Sequence, residues 1–403
     1  MPTEPGYRPV PGRVLHVLTN SLPHTGSGYA QRSHAILTSL RDEGFEVAAV
    51  TRPGYPVQIG VPWAAQRDVV DGIGYARLLP ARLAQGQAAR IQQHAELLAA
   101  HVRRHRPALL HTTTHFVNAL AVEAVARAVG IPWVYEVRGQ LADTWAAVRG
   151  PEALASERYR LFQEREAEAA RRADGVVTLG AGMRDRLVAA GVAEDAVVLC
   201  PNAVGPAFVA EPADRDEARA RLGWDLPTDA FVVGTVSSLV DYEGLDTLLR
   251  AAARLAPHRP GLQALAAELG IAELCAFPGR VDREDARLHH AALDVFTVPR
   301  RDLPVTRAVT PMKTVEASAT GRPVVASDLP ALAELVEDER TGLLVPAEDP
   351  AALAAALDRL AGNPAERVRL GAAGREWALQ TRTWEANARR YRALYDRLGV
   401  HPR

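Results

Sequence analysis

Arg13-Val14-Leu15-His16-Val17-Leu18, the turn-rich Thr19 to Gly28, the polar-apolar run Tyr29 to Glu43 closed by Gly44, and Phe45 to Thr51 form the stretch whose reading decides the fold. A short apolar run without alternation predicts a strand buried on both faces. Gly26-Ser27-Gly28 interrupts it, and Gly44 is a natural helix stop. The sum is a β-loop-α-β unit with its glycine-bearing loop at the carboxyl edge of the first strand. That is the repeating unit of a doubly wound parallel sheet.

Outward from this unit the pattern repeats. Asp71–Leu79 reads as a short strand pair, Ala81–Arg104 as a long helix, Ala108–His111 and Pro132–Val137 as strands, and Asn118–Val129 and Ser156–Arg172 as helices. Gly175–Leu179 and Ala196–Cys200 complete the first series. Gly205 to Asp229 carries three prolines and many charges, which predicts a domain boundary. A second series follows, with strands over Phe231–Val236, Leu274–Phe277, Asp294–Val298, Pro323–Ala326 and Gly342–Val345, and a helical tail ending in Trp384–Leu398. The expectation is an α/β chain with domains over 1–205 and 206–383 and a last helix, 384–403, that packs back on the first. One place breaks the pattern. The helices Gly244–Ala256 and Gly261–Leu269 are joined only by Pro257-His258-Arg259-Pro260, where a parallel sheet wants a strand. Either a strand is lost there or a piece of chain is missing.

Composition narrows the function. The 403 residues are 48% apolar and 24% charged, enough for real cores. With 47 basic against 48 acidic residues, nothing in the overall charge favours nucleic acid, and membrane contact is expected to be peripheral at most. Two cysteines, Cys200 and Cys275, make neither a disulfide framework nor a zinc site. No apolar leader or spanning stretch is evident, so a cytoplasmic protein is expected. Of the basic residues 46 are arginine and one is lysine, Lys313. An ammonium is a compact point charge and a guanidinium a planar fork, so a site needing the former would retain one lysine.

Lys313 lies in the richest segment, Val298-Pro299-Arg300-Arg301 to Glu316-Ala317, which leaves a strand at its carboxyl end and enters a helix. Backbone amides at that helix start, with Lys313, Arg300, Arg301 and Arg307, would form an anion site suited to a diphosphate.

Pro311-Met312-Lys313-Thr314-Val315-Glu316-Ala317, followed by Gly321-Arg322-Pro323-Val324-Val325-Ala326-Ser327-Asp328, resembles the nucleotide-sugar segment of family 4 glycosyltransferases, retaining enzymes of the GT-B fold. Gly342–Val345, Phe277-Pro278-Gly279-Arg280-Val281, Asp294-Val295-Phe296, Pro201-Asn202-Ala203-Val204 and Tyr135-Glu136-Val137-Arg138-Gly139 extend the match over nearly the whole chain. The resemblance implies two Rossmann-like domains facing across a cleft. It implies transfer of a hexosyl or N-acetylhexosaminyl group from a nucleotide diphosphate sugar, a UDP-sugar favoured, to an acceptor hydroxyl. Polysaccharide, glycoconjugate or natural-product synthesis would be the setting, with neither cofactor nor metal. Glu316 would bind the ribose hydroxyls, Arg280 and Val281 would face the base, and Arg307, Thr310, Met312 and Thr314 would line the donor. Lys313 and Arg300 would meet the diphosphate, and Gly26, Ser27, Gly28, Arg138 and Asp143, with Trp145 nearby, would serve sugar and acceptor.

Four departures from the family pattern stand out. Ala308 replaces the first acid of the usual E-x7-E pair. Ser238 and Glu243 occupy the places of a phosphate-binding Arg and Lys, so the charge must come from elsewhere, with Arg300, Arg301, Arg307 and Lys313 as candidates, an arrangement expected of a subgroup with a P-x-K-x-x-E segment. The Pro257–Pro260 link lacks the usual glycine-rich loop. The family's His-x-His is spaced differently in His111-Thr112-Thr113-Thr114-His115, which makes His115 the candidate facing the donor sugar and His111 the reserve, with a structural histidine open for either. A non-catalytic nucleotide-sugar or glycan binder and a GT-B sugar-nucleotide epimerase stay as alternatives. A dinucleotide enzyme is disfavoured, since G-x-G-x-x-G is missing after the first strand.

Overall fold

The computed structural model of the chain describes residues 3–237, 240–253, 262–279 and 281–403. It divides into two compact units, Met1–Pro201 with Trp384–Arg403, and Asn202–Thr383.

The first unit is built on strands β1 (Arg13–Leu18), β2 (Glu46–Thr51), β3 (Arg67–Val70), β4 (Ile73–Arg77), β5 (Leu109–Thr113), β6 (Trp133–Val137), β7 (Gly175–Thr178) and β8 (Val197–Leu199). Their order across the sheet is β3-β4-β2-β1-β5-β6-β7-β8, parallel except for the β3–β4 pair. That pair turns on Asp71 and Gly72, both at positive φ, the two-residue turn that matches strand twist. Val14 to Leu18 are buried because helices cover both faces of the sheet. Ser27 accepts from the Ala30 amide and caps the helix Gly28–Asp42.

The helix Trp384–Arg397 belongs to this unit although it ends the chain. It is fastened by polar groups as well as apolar ones. Asn387 donates to the Pro201 carbonyl at 2.7 Å, and the Tyr391 hydroxyl donates to Glu136 at 2.9 Å. Glu136 is fully buried at the end of β6 and also takes Arg32 at 2.8 and 3.0 Å and Arg138 at 2.8 Å. Burial opposes its charge, but the two guanidiniums hold its carboxyl well below the usual range. Gly175 opens β7, and a Cβ there would come within 2.8 Å of the Leu394 side chain, which a larger residue would force to shift.

The second unit carries a parallel sheet ordered β12-β11-β10-β9 among the described residues, from β9 (Val233–Gly234), β10 (Val295–Val298), β11 (Val324–Ser327) and β12 (Gly342–Val345). β10 and β11 are buried throughout, with Phe296, Val298, Val324 and Ala326 in one core. Asp294 secures the short β9: it accepts from the Val232 amide at 2.7 Å and pairs with Arg219 and Arg215 at 2.7 and 2.8 Å. Two expected strands change. Phe231–Val236 contracts to the two residues of β9, which pair with β10. Leu274–Phe277 is not a strand: a 3₁₀ turn, Ala272–Leu274, runs into irregular chain, with Leu274 79% exposed. The link Pro257–Pro260, where the sequence lacks an expected strand, lies outside the described residues.

His290 tests this core. It is fully buried, stacked on Phe296 with ring centroids 4.8 Å apart, and neither ring nitrogen has a hydrogen-bond partner. Burial lowers its pKa to about 3. An unfolded chain takes up a proton near pH 6.5 and the folded chain does not, so stability is lost as pH falls from about 6.5. One such group contributes a slope of up to about 1.4 kcal/mol per pH unit. Denaturant titrations at pH 7, 6 and 5 should show this loss, and His290→Phe should blunt it. An unchanged slope in the variant would contradict the assignment.

Candidate functional site

The site in the second unit begins with a turn. Asp241–Glu243 is one turn of 3₁₀ helix, followed by Gly244 at φ +66°. A Cβ on Gly244 would lie 1.9 Å from the Pro299 carbonyl oxygen, so only glycine permits this approach. The Arg301 amide donates to the Tyr242 carbonyl at 3.1 Å and ties the turn to the loop leaving β10. Two segments distant in sequence are thereby held together, and Glu243 comes to face Arg300.

Arg300 forks onto that carboxylate: Nε donates to Oε2 at 3.1 Å and Nη2 to Oε1 at 3.0 Å. Its Nη1 donates to the Val309 carbonyl at 2.8 Å, and its own carbonyl accepts from the Ser327 hydroxyl at the end of β11. Lys313, second residue of the helix Met312–Ala319, donates to Glu243 Oε2 in a short contact and to the Ser237 hydroxyl at 2.6 Å. Arg300, Lys313 and Glu243 are 7, 9 and 5% exposed. Two buried cations therefore share one buried anion. Desolvation brings Lys313 down to about 8, with Glu243 opposing that fall and Arg300 adding to it. Burial raises Glu243, yet Arg300 and Lys313 together leave it below the usual carboxylate range. The hydroxyls of Thr235, Thr310 and Thr314 are buried without hydrogen-bond partners, although a buried hydroxyl normally finds one. Two cations on one anion leave a surplus of positive charge that fits an oxyanion such as a phosphate.

The other sequence candidates distribute unevenly. Thr310, Met312 and Thr314 lie in or beside the same helix start, and Glu316 sits one turn on, half-buried, on the face of Met312. Arg307 does not join the cluster. It stands exposed on the short helix Pro304–Ala308 and pairs with Asp302 at 2.5 and 2.7 Å, because that helix turns it outward. Arg301 pairs with Asp246 at 3.2 Å. Val281 is half-buried in the loop ahead of the helix Arg283–Ala292, and Arg280 and Ser238 lie outside the described residues.

In the first unit His115 works as a helix cap: its Nδ1 accepts from the Val117 amide at 3.2 Å, and its ring lies against Phe116 and Phe162. His111 is fully buried, with Nδ1 on the Tyr395 hydroxyl at 2.6 Å and Nε2 on Glu136 at 3.2 Å. Both histidines thus carry structural duties. Arg138 is held by Glu136 and by the Ser33 hydroxyl at 2.6 Å, and Asp143 by Tyr159 and Arg186 at 2.5 and 2.6 Å. Arg149 and Arg158 stack on Trp145. A Cβ on Gly26 would meet nothing within 4 Å, so the chain's own packing does not require glycine there. Among the described residues, no group of three or more His, Cys, Asp or Glu could hold a metal ion, and no helix is long and apolar enough to cross a membrane.

In the sequence Glu243 stands out only as a carboxylate where a cation is expected; its partners Arg300 and Lys313 come from 57 and 70 residues away and no local signal joins them. A variant measures that coupling. Glu243→Ala leaves Arg300 and Lys313 buried without a counter-charge and should cost about 3–5 kcal/mol in denaturant titrations. Glu243→Gln, which keeps the shape, should cost less. Near-native stability of the alanine variant would contradict a buried triad.

Two family models match. "Glycosyl transferase 4-like domain" covers residues 27–203, and "Glycosyl transferases group 1" covers 230–363. A GDP-mannose-dependent alpha-(1-6)-phosphatidylinositol monomannoside mannosyltransferase of Mycolicibacterium smegmatis is 34% identical over 203 residues, 46% of this chain and 52% of that protein. A D-inositol 3-phosphate glycosyltransferase of Thermomonospora curvata is 34% identical over 203 residues, 45% of each chain. The chain spans about half the length of these curated relatives. Among solved structures, sucrose-phosphate synthase from Thermosynechococcus elongatus superposes with a TM-score of 0.77 at 21% identity, covering 96% of this chain and 99% of that one. Anabaena HepE in complex with UDP gives 0.72 at 16%, covering 96 and 100%. These neighbours share the GT-B fold. With both halves matched, the chain belongs to the group 1, family 4-like glycosyl transferases.

Proposed function

We propose that the protein transfers a sugar from a nucleoside diphosphate sugar to an acceptor hydroxyl with retention of configuration, the second unit holding the donor and the first the acceptor. The observation that carries this is the Arg300–Glu243–Lys313 triad at the start of the helix Met312–Ala319. In the transition state positive charge grows on the sugar and negative charge on the departing diphosphate. Two fixed cations beside that oxygen, in a site already dry, stabilise the charge without reorganising. Pro311 to Glu316 is then the donor-phosphate segment, and Glu316 accepts hydrogen bonds from the ribose. The leaving phosphate takes the acceptor's proton, so no side-chain base is needed. The cations serve without a divalent ion, and EDTA should leave turnover intact.

The sequence favoured a UDP-sugar. UDP is bound in the Anabaena neighbour, whereas GDP-mannose is named for the M. smegmatis relative. A thermal-shift screen of UDP-, GDP-, ADP- and TDP-sugars therefore comes first, since a ligand specific to the native state raises the melting point. Turnover of the hit separates an enzyme from a binding protein.

Lys313→Ala should then lose about 30- to 1,000-fold in kcat/KM, the value of about 2–4 kcal/mol for one charge-assisted contact to a developing anion. Lys313→Arg should be impaired as well. Lys313 carries its charge below about pH 8 and loses it above, so donor affinity should weaken as pH rises through about 8. Near-native turnover of Lys313→Ala, with its fold confirmed, would refute the assignment.

A further inference from the structure

The motif Pro201-Asn202-Ala203-Val204 supplies no charge to the triad. Its last three residues open the second unit and are buried there. The Val204 amide donates to the Arg382 carbonyl at 2.8 Å, and Val204 pairs in parallel with Thr383, which fixes the backbone beside Asn202. Two contacts run from this segment to the helix Met312–Ala319. Val204 shares an apolar core with Val315 and Ala317. Asn202 Nδ2 donates to the Thr310 carbonyl at 2.8 Å, two residues ahead of the helix.

The second contact bears on where the helix start points. The first amides of a helix have no partner within it, and the cap residue here, Pro311, offers no side-chain acceptor. Their direction is therefore set by the peptides that lead in. Both leading carbonyls are caught: Arg300 Nη1 holds that of Val309 at 2.8 Å, and Asn202 holds that of Thr310. A peptide is one rigid plane, and proline fixes its own φ. With the Thr310 carbonyl held, a single soft torsion, ψ of Pro311, separates that anchor from the Met312 amide. Arg300 is thus a clamp as well as a member of the triad. Asn202 is the second clamp, and it brings no charge of its own.

We infer that Asn202 is a positioning residue of the donor site: through the Thr310 carbonyl it aims the amides of Met312, Lys313 and Thr314 at the donor's diphosphate before the donor binds. Donors aimed in advance need no reorganisation when the anion arrives. The inference rests on the donor reading proposed above, and it assigns to Asn202 an effect on phosphate contacts alone. An asparagine that served only the packing of the unit would lower the melting temperature and weaken every ligand alike.

That difference is the test. The full chain and its Asn202→Ala variant are titrated with UDP, GDP, ADP and TDP and with the four matching nucleosides, by saturation-transfer NMR, which also reads weak binders. For the nucleotide that the wild type binds, the variant should raise Kd by about tenfold, as expected when a hydrogen bond that aligns the site is lost. Its affinity for the matching nucleoside, which lacks the phosphates, should stay unchanged. Asn202→Ser keeps a shorter donor and should show a smaller loss of the same kind; it carries the test if Asn202→Ala folds poorly. An unchanged Kd for the diphosphate, or an equal loss for diphosphate and nucleoside, overturns the positioning role and leaves the transfer reading standing. A wild type that binds none of the four diphosphates overturns the transfer reading, and this inference with it.

Discussion

One buried carboxylate, Glu243, keeps two cations where they would not otherwise stay. Arg300 and Lys313 are almost fully buried and lie near one another, so desolvation and mutual repulsion both act against their charges. Burying an ion costs several kcal/mol, and attraction to an opposite charge offsets this only in good geometry. Glu243 supplies that geometry, forked by Arg300 and met by Lys313. Its position depends in turn on Gly244, whose close approach to Pro299 brings the two segments together. One anion for two cations leaves a surplus of positive charge, and a surplus positioned before ligand arrives is what electrostatic stabilisation of a leaving diphosphate requires.

The first unit solves a similar problem differently. Glu136 also lies buried between two arginines, Arg32 and Arg138, but Tyr391 and His111 complete its shell. That network binds the last helix of the chain to the unit. Glu136 is answered by two cations, a hydroxyl and a ring nitrogen, whereas Glu243 alone answers Arg300 and Lys313.

Much of this was legible in the sequence. The β1-loop-helix-β2 unit could be read because a strand buried on both faces has no choice but to be apolar throughout. Lys313 could be singled out by count alone, as the one lysine among 46 arginines. Where the structure differs from that reading, the reason is physical. Phe231–Val236 keeps only the two residues that pair with β10, and Leu274–Phe277 follows a 3₁₀ turn and pairs with no strand among the described residues. Arg307 carries the right charge, but its direction depends on a short helix whose orientation no periodicity encodes. His115 matched a histidine expected at the sugar, yet its ring nitrogen caps a helix, a duty Ser, Asp or Asn more often performs. Glu243 was visible as an anomaly, and only coordinates could show that its partners come from 57 and 70 residues away.

Because Lys313 is the only lysine, protein labelled at lysine Cε and Nζ gives one side-chain resonance, and its titration reads the triad directly. In the free protein the midpoint should lie near 8, far below the ordinary 10.5. On saturation with the nucleotide diphosphate of the preferred donor it should move upward, because a bound anion favours the ammonium. A free midpoint near 10.5, or one near 8 that saturating nucleotide does not move, would contradict the claim that Lys313 is a buried cation waiting for a diphosphate.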